Sequence, residues 1–445
     1  MSTDSALASV GQALKPLVHT VASRLENPAL LDTPRVPTLA VARREMACLP
    51  YLSASTVVSP RTDSADIDES ARLFVPTTPQ ARILIEVVTQ VRSSYAYRNL
   101  NDAAYRAYTY TALEFLHQSY DRHGHRIPAR AGKAPNAKPR GILVCAPART
   151  GRGRIADAVQ SYIGSGYHTI RVDTENGFAE FLRLRTLRVS WPTNGKLRTF
   201  AKQFVGAFDS VVRSEYSHRT RGPLFREEDI VPALCALATG VNLGLLIVER
   251  INTRDATSRY APDTWDALGI FTRTTGIPVL CLLTPGAATG LAEQSGSIGD
   301  LCPNGVHRIT PYGRDTNEWK AIAKAIYMQC LPFANGGVMP DWFPAALWNA
   351  SLGHPGVAVP AAKATEAALK LKDEKAFGEE EFAVLAAEAT LIHEPHLRAV
   401  RQAHGGGTFT NASLRRHGDW IPLEVMMKTA LGLDAAVAAK TLSAS

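Results

Sequence analysis

The sequence has few cysteines and no long apolar run. Its six cysteines are scattered, without a C-x-x-C pair or a Cys/His cluster, so neither a zinc site nor a disulfide framework is favoured. The run His-Glu-Pro-His at 393–396 has the wrong spacing for a zinc helix, and we expect surface residues there. No stretch of about 18 apolar residues occurs, which argues against a membrane-spanning helix. Without a basic segment followed by an apolar core at the start, we expect no secretory signal, a cytoplasmic location and no membrane partner.

Charge is moderate in amount but uneven in distribution. The 445 residues carry a formal net charge of +8, with a pI near 9.2. Nine basic residues stand against one acid between positions 121 and 154, and a second acid-free basic stretch runs from 183 to 202. A basic excess favours an anionic partner such as DNA. A solvated linker and a solvated strand face explain the two stretches equally well.

Residues 146–153 have the length of a phosphate-binding loop but lack most of its chemistry. The pattern G-x-x-x-x-G-K-[ST] uses backbone N–H groups, a lysine and a Mg²⁺-binding hydroxyl. Here Ala146 and Gly151 take the glycine positions, while Arg152 replaces the lysine and Gly153 the hydroxyl residue. The apolar run 141–145 before the loop predicts a strand, and a helix is expected from about Arg154. On this motif alone, a chance strand, loop and helix explain the pattern as well.

Two further apolar strands end in polar residues. Residues 243–248 precede Glu249 and Arg250, and residues 276–283 precede Thr284. Ligands of parallel α/β sheets bind beyond the carboxyl ends of the strands. The loops at 146–153, 249–252 and 284–287 are therefore predicted to converge on one pocket.

Alternating strands and helices predict the α/β fold class, with a parallel sheet covered on both faces. We expect five strands in this core, at 141–145, 167–172, 186–190, 243–248 and 278–283, with helices at 154–164, 196–214 and 227–240. Before the core, which we place at 141–316, we predict an N-terminal arm over 1–78 with a helix near 11–24, then a helical segment and basic linker over 79–140. After the core, we predict a helical lid over 317–402, with helices at 317–330, 341–351, 359–372 and 379–390. The remaining residues, 403–445, are predicted to form a tail with one short helix.

The order of these sequence segments along the chain resembles that in the TnsC/TniB family of AAA+ transposition regulators. The loop at 149–152 resembles the family's R-T-G-K, and 242–251 resembles its L-G-L-L-V-I-D-E-I. The passage 187–209 is similar to its strand-Pro-x-x-Gly-helix, and 276–285 to its G-I-P-V…G-T. The likeness spans roughly residues 79–402.

This resemblance implies an AAA+-type P-loop core with an N-terminal helical extension and a C-terminal α-helical lid. It also implies ATP-dependent self-association into rings or filaments on double-stranded DNA, between a target-selector protein and transposase subunits. The nucleotide would contact Arg149, Thr150, Gly151, Arg152, Gly153, Arg154 and Thr284. In the family, aspartate and glutamate hold the Mg²⁺ shell and polarise the attacking water; here Glu249 and Arg250 occupy those positions.

Because an arginine cannot act as a base, efficient ATP hydrolysis is not expected, and no residue is assigned a catalytic role. One hypothesis is that the site binds ATP or another polyphosphate without Mg²⁺. Up to four arginines near the expected phosphate position would replace the charge of the metal: Arg149, Arg152, Arg154 and Arg250. An empty scaffold and an ordinary ATPase remain the alternatives. For DNA, the candidate phosphate contacts are Arg183, Arg185, Lys196, Arg198 and Lys202.

Overall fold

The computed structural model describes residues 27–50, 72–116, 132–174, 177–216 and 227–430. The strands of the central sheet are β1 (Gly141–Cys145), β4 (Thr186–Ser190), β5 (Leu245–Ile251), β6 (Val279–Leu283) and β7 (Val306–Arg308). They lie in the order β4-β5-β6-β1-β7, and every neighbouring pair is parallel. The predicted α/β class with a parallel sheet is confirmed. Among the described helices, none has both the length and the apolar character needed to cross a bilayer.

The helices lie before, between and after these strands. In chain order they are α1 (Pro28–Leu31), α2 (Leu39–Met46), α3 (Thr78–Tyr97), α4 (Ala103–Leu116), α5 (Arg152–Ile163), α6 (Leu197–Val212), α7 (Glu227–Gly240), α8 (Thr253–Ala256), α9 (Ala261–Thr275), α10 (Pro285–Ala292), α11 (Ser295–Leu301), α12 (Asn317–Cys330), α13 (Phe343–Ser351), α14 (Pro355–Lys372), α15 (Glu379–Thr390), α16 (Glu394–His404), α17 (Asn411–His417) and α18 (Leu423–Ala430).

Side chains of the central strands alternate between two hydrophobic cores. In β1, Leu143 and Cys145 belong to the core that also contains α6, α7 and α9. Ile142 and Val144 belong to the opposite core, with α2, α3 and α5. Because helices cover both faces, all five residues of β1 are buried, which explains its unbroken apolar sequence.

The strand predicted at 167–172 is not part of this sheet. It forms β2 (Tyr167–Thr174), which pairs antiparallel with β3 (Gly177–Leu184) in a separate two-stranded sheet. Residues of β2 alternate between exposed and buried, unlike those of the core strands. This alternation is typical of a strand with one solvated face. The sequence-based assignment missed both β3 and the short edge strand β7.

The N-terminal region is partly folded onto the core. Asn27 is fully buried and donates hydrogen bonds to the carbonyl oxygens of Tyr95 and Arg98, at the end of α3. Helix α2 packs on α3 and α5. The arm predicted over 1–78 is therefore packed on the core at residues 27–46, while the helix predicted near 11–24 lies outside the described residues.

The C-terminal region begins as the predicted helical lid. Helices α12 to α15 share one core around Trp319, Phe343 and Phe382, and their bounds agree with the prediction to within about four residues. The region predicted as a tail differs. Between 403 and 430 it holds α17 and α18, and α18 packs on α10 of the α/β core.

Candidate functional site

The three predicted loops lie next to one another at the carboxyl edge of the sheet, but of the three only the loop at 146–153 lines the cavity described below. The backbone N–H of Ala146 donates to the carbonyl of Leu283 at 3.0 Å, and that of Thr284 donates to the carbonyl of Ile251 at 3.0 Å. These bonds tie the ends of β1, β6 and β5. Strand β1 lies between β6 and β7, so the loop after β1 sits where the chain changes direction across the sheet, the usual ligand position.

The loop between β1 and α5 is a tight turn that opens a helix. Arg149 and Gly151 have left-handed backbones, with φ of 63° and 97°. The hydroxyl of Thr150, itself buried, donates to the carbonyl of Pro147 at 2.7 Å and closes the turn. Within the described ranges, the backbone N–H groups of residues 150–154 have no hydrogen-bond acceptor. Such a helix start attracts anions.

A cavity of about 460 Å³ lies between this turn, the lid and the residues just before α3. The residues that line it fall into two chemical groups. The loop contributes three arginines, Arg149, Arg152 and Arg154. The remaining wall is mainly apolar, with one further cation, Lys363; its apolar residues include Leu73, Phe74, Val75, Tyr312, Ile322, Ile326 and Val359. The cavity thus combines the cations of the loop with a mainly apolar wall.

Arg152 reaches from the cavity behind the loop toward β5. Its Nη1 donates to the carbonyl of Ile251 at 3.2 Å. Burial lowers the pKa of Arg152, and the nearby acids Asp419 and Glu249 oppose that shift. The guanidinium therefore stays charged at the ends of β1 and β5, close to the position that the motif gives to its lysine.

Glu249 is neutralised by a residue that the motif comparison missed. Arg188 on β4 contacts Glu249 Oε2 at 2.5 Å and Asp157 Oδ1 at 2.6 Å. Only 14% of the Glu249 side chain is exposed, so little of it is open to an added ligand. A carboxylate held in this way is a poor ligand for an added metal ion.

Arg250 lies outside the pocket. It occupies a bulge of β5 with φ of 58°, and its side chain is 79% exposed. It does not line the cavity that Arg149, Arg152 and Arg154 share. The expectation that four arginines gather at the phosphate position is corrected to three, since the bulge turns Arg250 toward solvent. Within the described ranges no three His, Cys, Asp or Glu side chains come together as metal ligands.

Thr284 is engaged by an acid that sequence reasoning placed in the tail. Its hydroxyl donates to Asp419 Oδ1 at 2.6 Å. The same oxygen accepts from the backbone N–H of Thr253 at 2.7 Å and from its hydroxyl at 2.6 Å. Asp419 also accepts, through its carbonyl, from the N–H of Ala148 at 2.6 Å. Nothing in the local sequence around Asp419 marks it for this position.

His354 links the lid to the loop. Its Nδ1 donates to the carbonyl of Ala148 at 2.9 Å, which fixes the ring tautomer. Burial lowers the pKa of His354 to about 4, so the ring is neutral at pH 7. Two residues on, the N–H of Gly356 donates to the carbonyl of Arg149 at 2.9 Å, and a Cβ at this glycine would lie 3.1 Å from Arg149. The first turn of α14 is therefore packed directly on the loop.

The residues expected to contact DNA separate into two groups. Arg183 is 1% exposed, and both Arg183 and Arg185 form ion pairs with Asp32. Arg183 cannot reach a DNA backbone, and its assignment is corrected: it holds the N-terminal segment on β3. Lys196, Arg198 and Lys202 are exposed at the start of α6, and the Lys196 ammonium lies 4.4 Å above the ring of Tyr260.

No protein-family model matches the chain, and no curated protein matches it in sequence. Among solved structures, the ADP form of the Aeropyrum pernix ORC2 protein is 14% identical, with 78% of this chain and 85% of that chain covered and a TM-score of 0.39. The same protein with ADPNP and ADP is 13% identical, with 67% of this chain and 76% of that chain covered and a TM-score of 0.38. A RuvB mutant from Thermogota maritima is 11% identical, with 66% of this chain and 75% of that chain covered and a TM-score of 0.32. With TM-scores below 0.5, these likenesses do not place the chain in a family.

Proposed function

We propose that this protein is an AAA+-type nucleotide-binding regulator that binds a nucleoside polyphosphate without efficient hydrolysis. The observation that carries the proposal is the cavity of about 460 Å³ between the loop and the lid, which is lined by three loop arginines and a mainly apolar wall. A nucleotide combines the matching features, charged phosphates and a flat base. Ligand pockets commonly combine an apolar lining with a few convergent polar groups.

The loop residues fit a phosphate chain. The N–H groups of residues 150–154 lie at the start of α5 without an acceptor among the described residues, and Arg149, Arg152 and Arg154 add positive charge. Guanidinium groups form charge-assisted, often bidentate hydrogen bonds to phosphate. They would hold the phosphates and supply part of the charge that Mg²⁺ supplies elsewhere.

The same residues fit Mg²⁺ and hydrolysis poorly. Gly153 has no hydroxyl to bind a metal, Glu249 is paired with Arg188, and Arg250 is turned outward. General-base assistance is typically worth about 10²–10⁴ in rate. Loss of such a base supports slow turnover or none.

Calorimetric titration with ADP and ATP in excess EDTA tests the proposal. We expect binding of at least one nucleotide without a divalent cation, because the arginines replace its charge. Tight binding that requires Mg²⁺ would contradict the metal-free site. Absence of binding under both conditions would leave an empty scaffold and overturn the proposal.

The alternative function is a hydrolysing AAA+ motor or switch with atypical motif residues. Phosphate release, measured with double-stranded DNA present, separates the two. We expect only background release, unchanged in Arg152→Ala and Arg250→Ala proteins. Release that falls to background in either variant would favour the working ATPase.

We further propose, from the resemblance to TnsC/TniB proteins, that the protein assembles on DNA and links target selection to a transposase. Three exposed basic residues, Lys196, Arg198 and Lys202, support a phosphate contact along α6. The cavity beside them also contains Glu227, Asp263 and Asp266, so the contact would follow the rim of this surface. Electron microscopy of the protein on duplex DNA, with and without nucleotide, tests ring or filament assembly.

Charge reversal tests the DNA contact. The variant Lys196→Glu with Arg198→Glu should weaken binding and reduce the slope of log K against log salt by about 0.9 per lost phosphate contact. The matched control is Lys320→Glu with Lys324→Glu, which makes the same charge change at exposed lid positions. Equal effects of both variants would mean that net charge, rather than this surface, drives binding. A transposase gene beside the gene for this protein would favour the transposition role over that of an unrelated P-loop scaffold.

A further inference from the structure

The segment Gly418-Asp419-Trp420 crosses the carboxyl ends of three central strands. The N–H of Gly286, after β6, donates to the carbonyl of Gly418 at 2.9 Å. A Cβ at Gly418 would lie 3.0 Å from the Thr253 hydroxyl and 2.7 Å from the carbonyl of Leu414, so only glycine permits this approach. The segment is therefore seated in the site and is not a loose end of the chain.

Asp419 takes up the hydrogen-bond donors of the site. One carboxylate oxygen accepts three bonds of 2.6–2.7 Å, from the Thr284 hydroxyl and from the hydroxyl and N–H of Thr253. Its carbonyl accepts from the N–H of Ala148 in the phosphate loop. Arg152 is close enough for Asp419 to be the largest charge effect on its guanidinium. An oxyanion that accepts from two hydroxyls and an amide, with a guanidinium in its electrostatic range, is arranged as a phosphate oxygen would be.

Asp419, Thr253 and Thr284 do not line the cavity, but the network adjoins it through one residue. Arg152 belongs to both: it lines the cavity and reaches Ile251 at the end of β5, next to the Asp419 network. A phosphate chain that enters past Arg149 and Arg152 would meet Asp419 at its far end. The Asp419 carboxylate and a phosphate cannot both use these donors, because the second negative charge would be left without a partner.

We infer that Asp419 fills the terminal phosphate subsite of the nucleotide pocket, so that the docked protein accepts a nucleoside diphosphate and excludes a triphosphate. The inference rests on the proposed nucleotide site. A triphosphate binds only when the segment around Asp419 leaves the strand ends. Asp419 is thus a specificity-determining residue, and release of α17 and α18 accompanies triphosphate binding.

Calorimetry with ADP and with a non-hydrolysable β,γ-imido ATP, in EDTA, tests the inference on the full chain. Asp419→Ala should raise the affinity for the ATP analogue about tenfold or more, while that for ADP changes less than about threefold, because only the third phosphate reaches the freed donors. Asp419→Asn, which keeps the shape but loses the charge, should show a smaller change in the same direction. Asp173→Ala is the control, since that carboxylate is 93% exposed.

Limited trypsin digestion of the unaltered protein gives a second measurement. Arg415 and Arg416 are exposed, but they lie on α17 and are protected while that helix is folded. The ATP analogue should accelerate cleavage there, and ADP should not. This measurement decides the question even where an Asp419 variant fails to fold.

The outcomes separate the two proposals. If ADP binds but Asp419→Ala changes both affinities equally, or the ATP analogue binds without faster cleavage, the inference is overturned and the nucleotide site stands. If neither nucleotide binds the unaltered protein or its variants, the nucleotide site and the inference fall together.

Discussion

At the residue scale, the candidate site differs from the usual phosphate-loop motifs at Arg152 and Glu249, and the contacts of these side chains show what each difference does. Arg152 keeps the positive charge of a lysine but is longer, and its fork reaches the carbonyl of Ile251. Glu249 keeps a carboxylate, but Arg188 compensates it. Charge is thus retained at both positions while each charged group is engaged by another part of the chain, which supports the proposal of binding without efficient hydrolysis.

Arg152→Ala should weaken ADP binding. A hydrogen bond between charged groups contributes about 1.5–3 kcal/mol, so we expect affinity to fall about tenfold to 150-fold in calorimetry. Arg250→Ala is the matched control, because its side chain is 79% exposed and does not line the cavity. If the two variants behave alike, the phosphates do not lie where the loop predicts.

At the element scale, the loop after β1 is held from two directions by parts of the chain far away in sequence. From the lid, the first turn of α14 contacts it through His354 and Gly356. From the C-terminal segment, Asp419 contacts it at Ala148. Trp420 lies between these supports, stacked on His396 with ring centroids 5.1 Å apart and near His354 and His393.

Docking of the C-terminal segment should depend on pH. Burial lowers the pKa of His354, His393, His396 and His417 below the ordinary value of 6.5, to about 4 for His354. The carboxylate of Asp419 raises the pKa of His396 and so opposes the effect of burial there. Arg149 lowers the pKa of His393 further, and Arg416 does the same for His396 and His417.

Because the docked form binds fewer protons than the released form, docking is most stable above pH 6.5 and weakens as pH falls toward 4. We expect an acid transition in the fluorescence difference between the unaltered protein and Trp420→Phe. His354→Asn keeps a donor to Ala148 but cannot be protonated, so it should move the transition to lower pH. A transition unaffected by this change would assign the acid response to other groups.

At the scale of the whole molecule, charged contacts fix the N-terminal segment to the hairpin of β2 and β3. Asp32, just after α1, pairs with Arg183 and with Arg185 at 3.0 Å, and it also lies 3.1 Å from the His168 ring, whose pKa is lowered by burial. Arg183 is 1% exposed, so it depends on this carboxylate for compensation. The basic stretch that suggested DNA binding is here in part an internal anchor.

Asp32→Ala should destabilise the fold. Breaking a buried pair costs about 3–5 kcal/mol, and because Asp32 is 34% exposed we expect about 2 kcal/mol in urea unfolding. Glu45→Ala is the control on the same segment, since its pair with Arg44 is largely exposed. A similar small loss in both variants would show that apolar packing of α2, rather than Asp32, holds the segment.

Local pattern in the sequence was sufficient for the parallel core strands, the helices between them and the lid. Strands buried on both faces require unbroken apolar runs, and lid helices require a regular apolar period, so both leave a mark within a few residues. The bounds of β1, β4 and α15 follow from such marks, and so does the convergence of the three loops, because carboxyl ends of parallel strands share one edge.

The tertiary structure alone decided which charges are free and what fills the site. Whether Arg183 faces solvent or Asp32, and whether Glu249 faces a ligand or Arg188, depends on partners 61 to 151 residues away along the chain. Asp419 has no local signature at all, since its three donors come from Thr253 and Thr284. Residue type and spacing determine which elements form, whereas compensation of a charge depends on what packs against it in three dimensions.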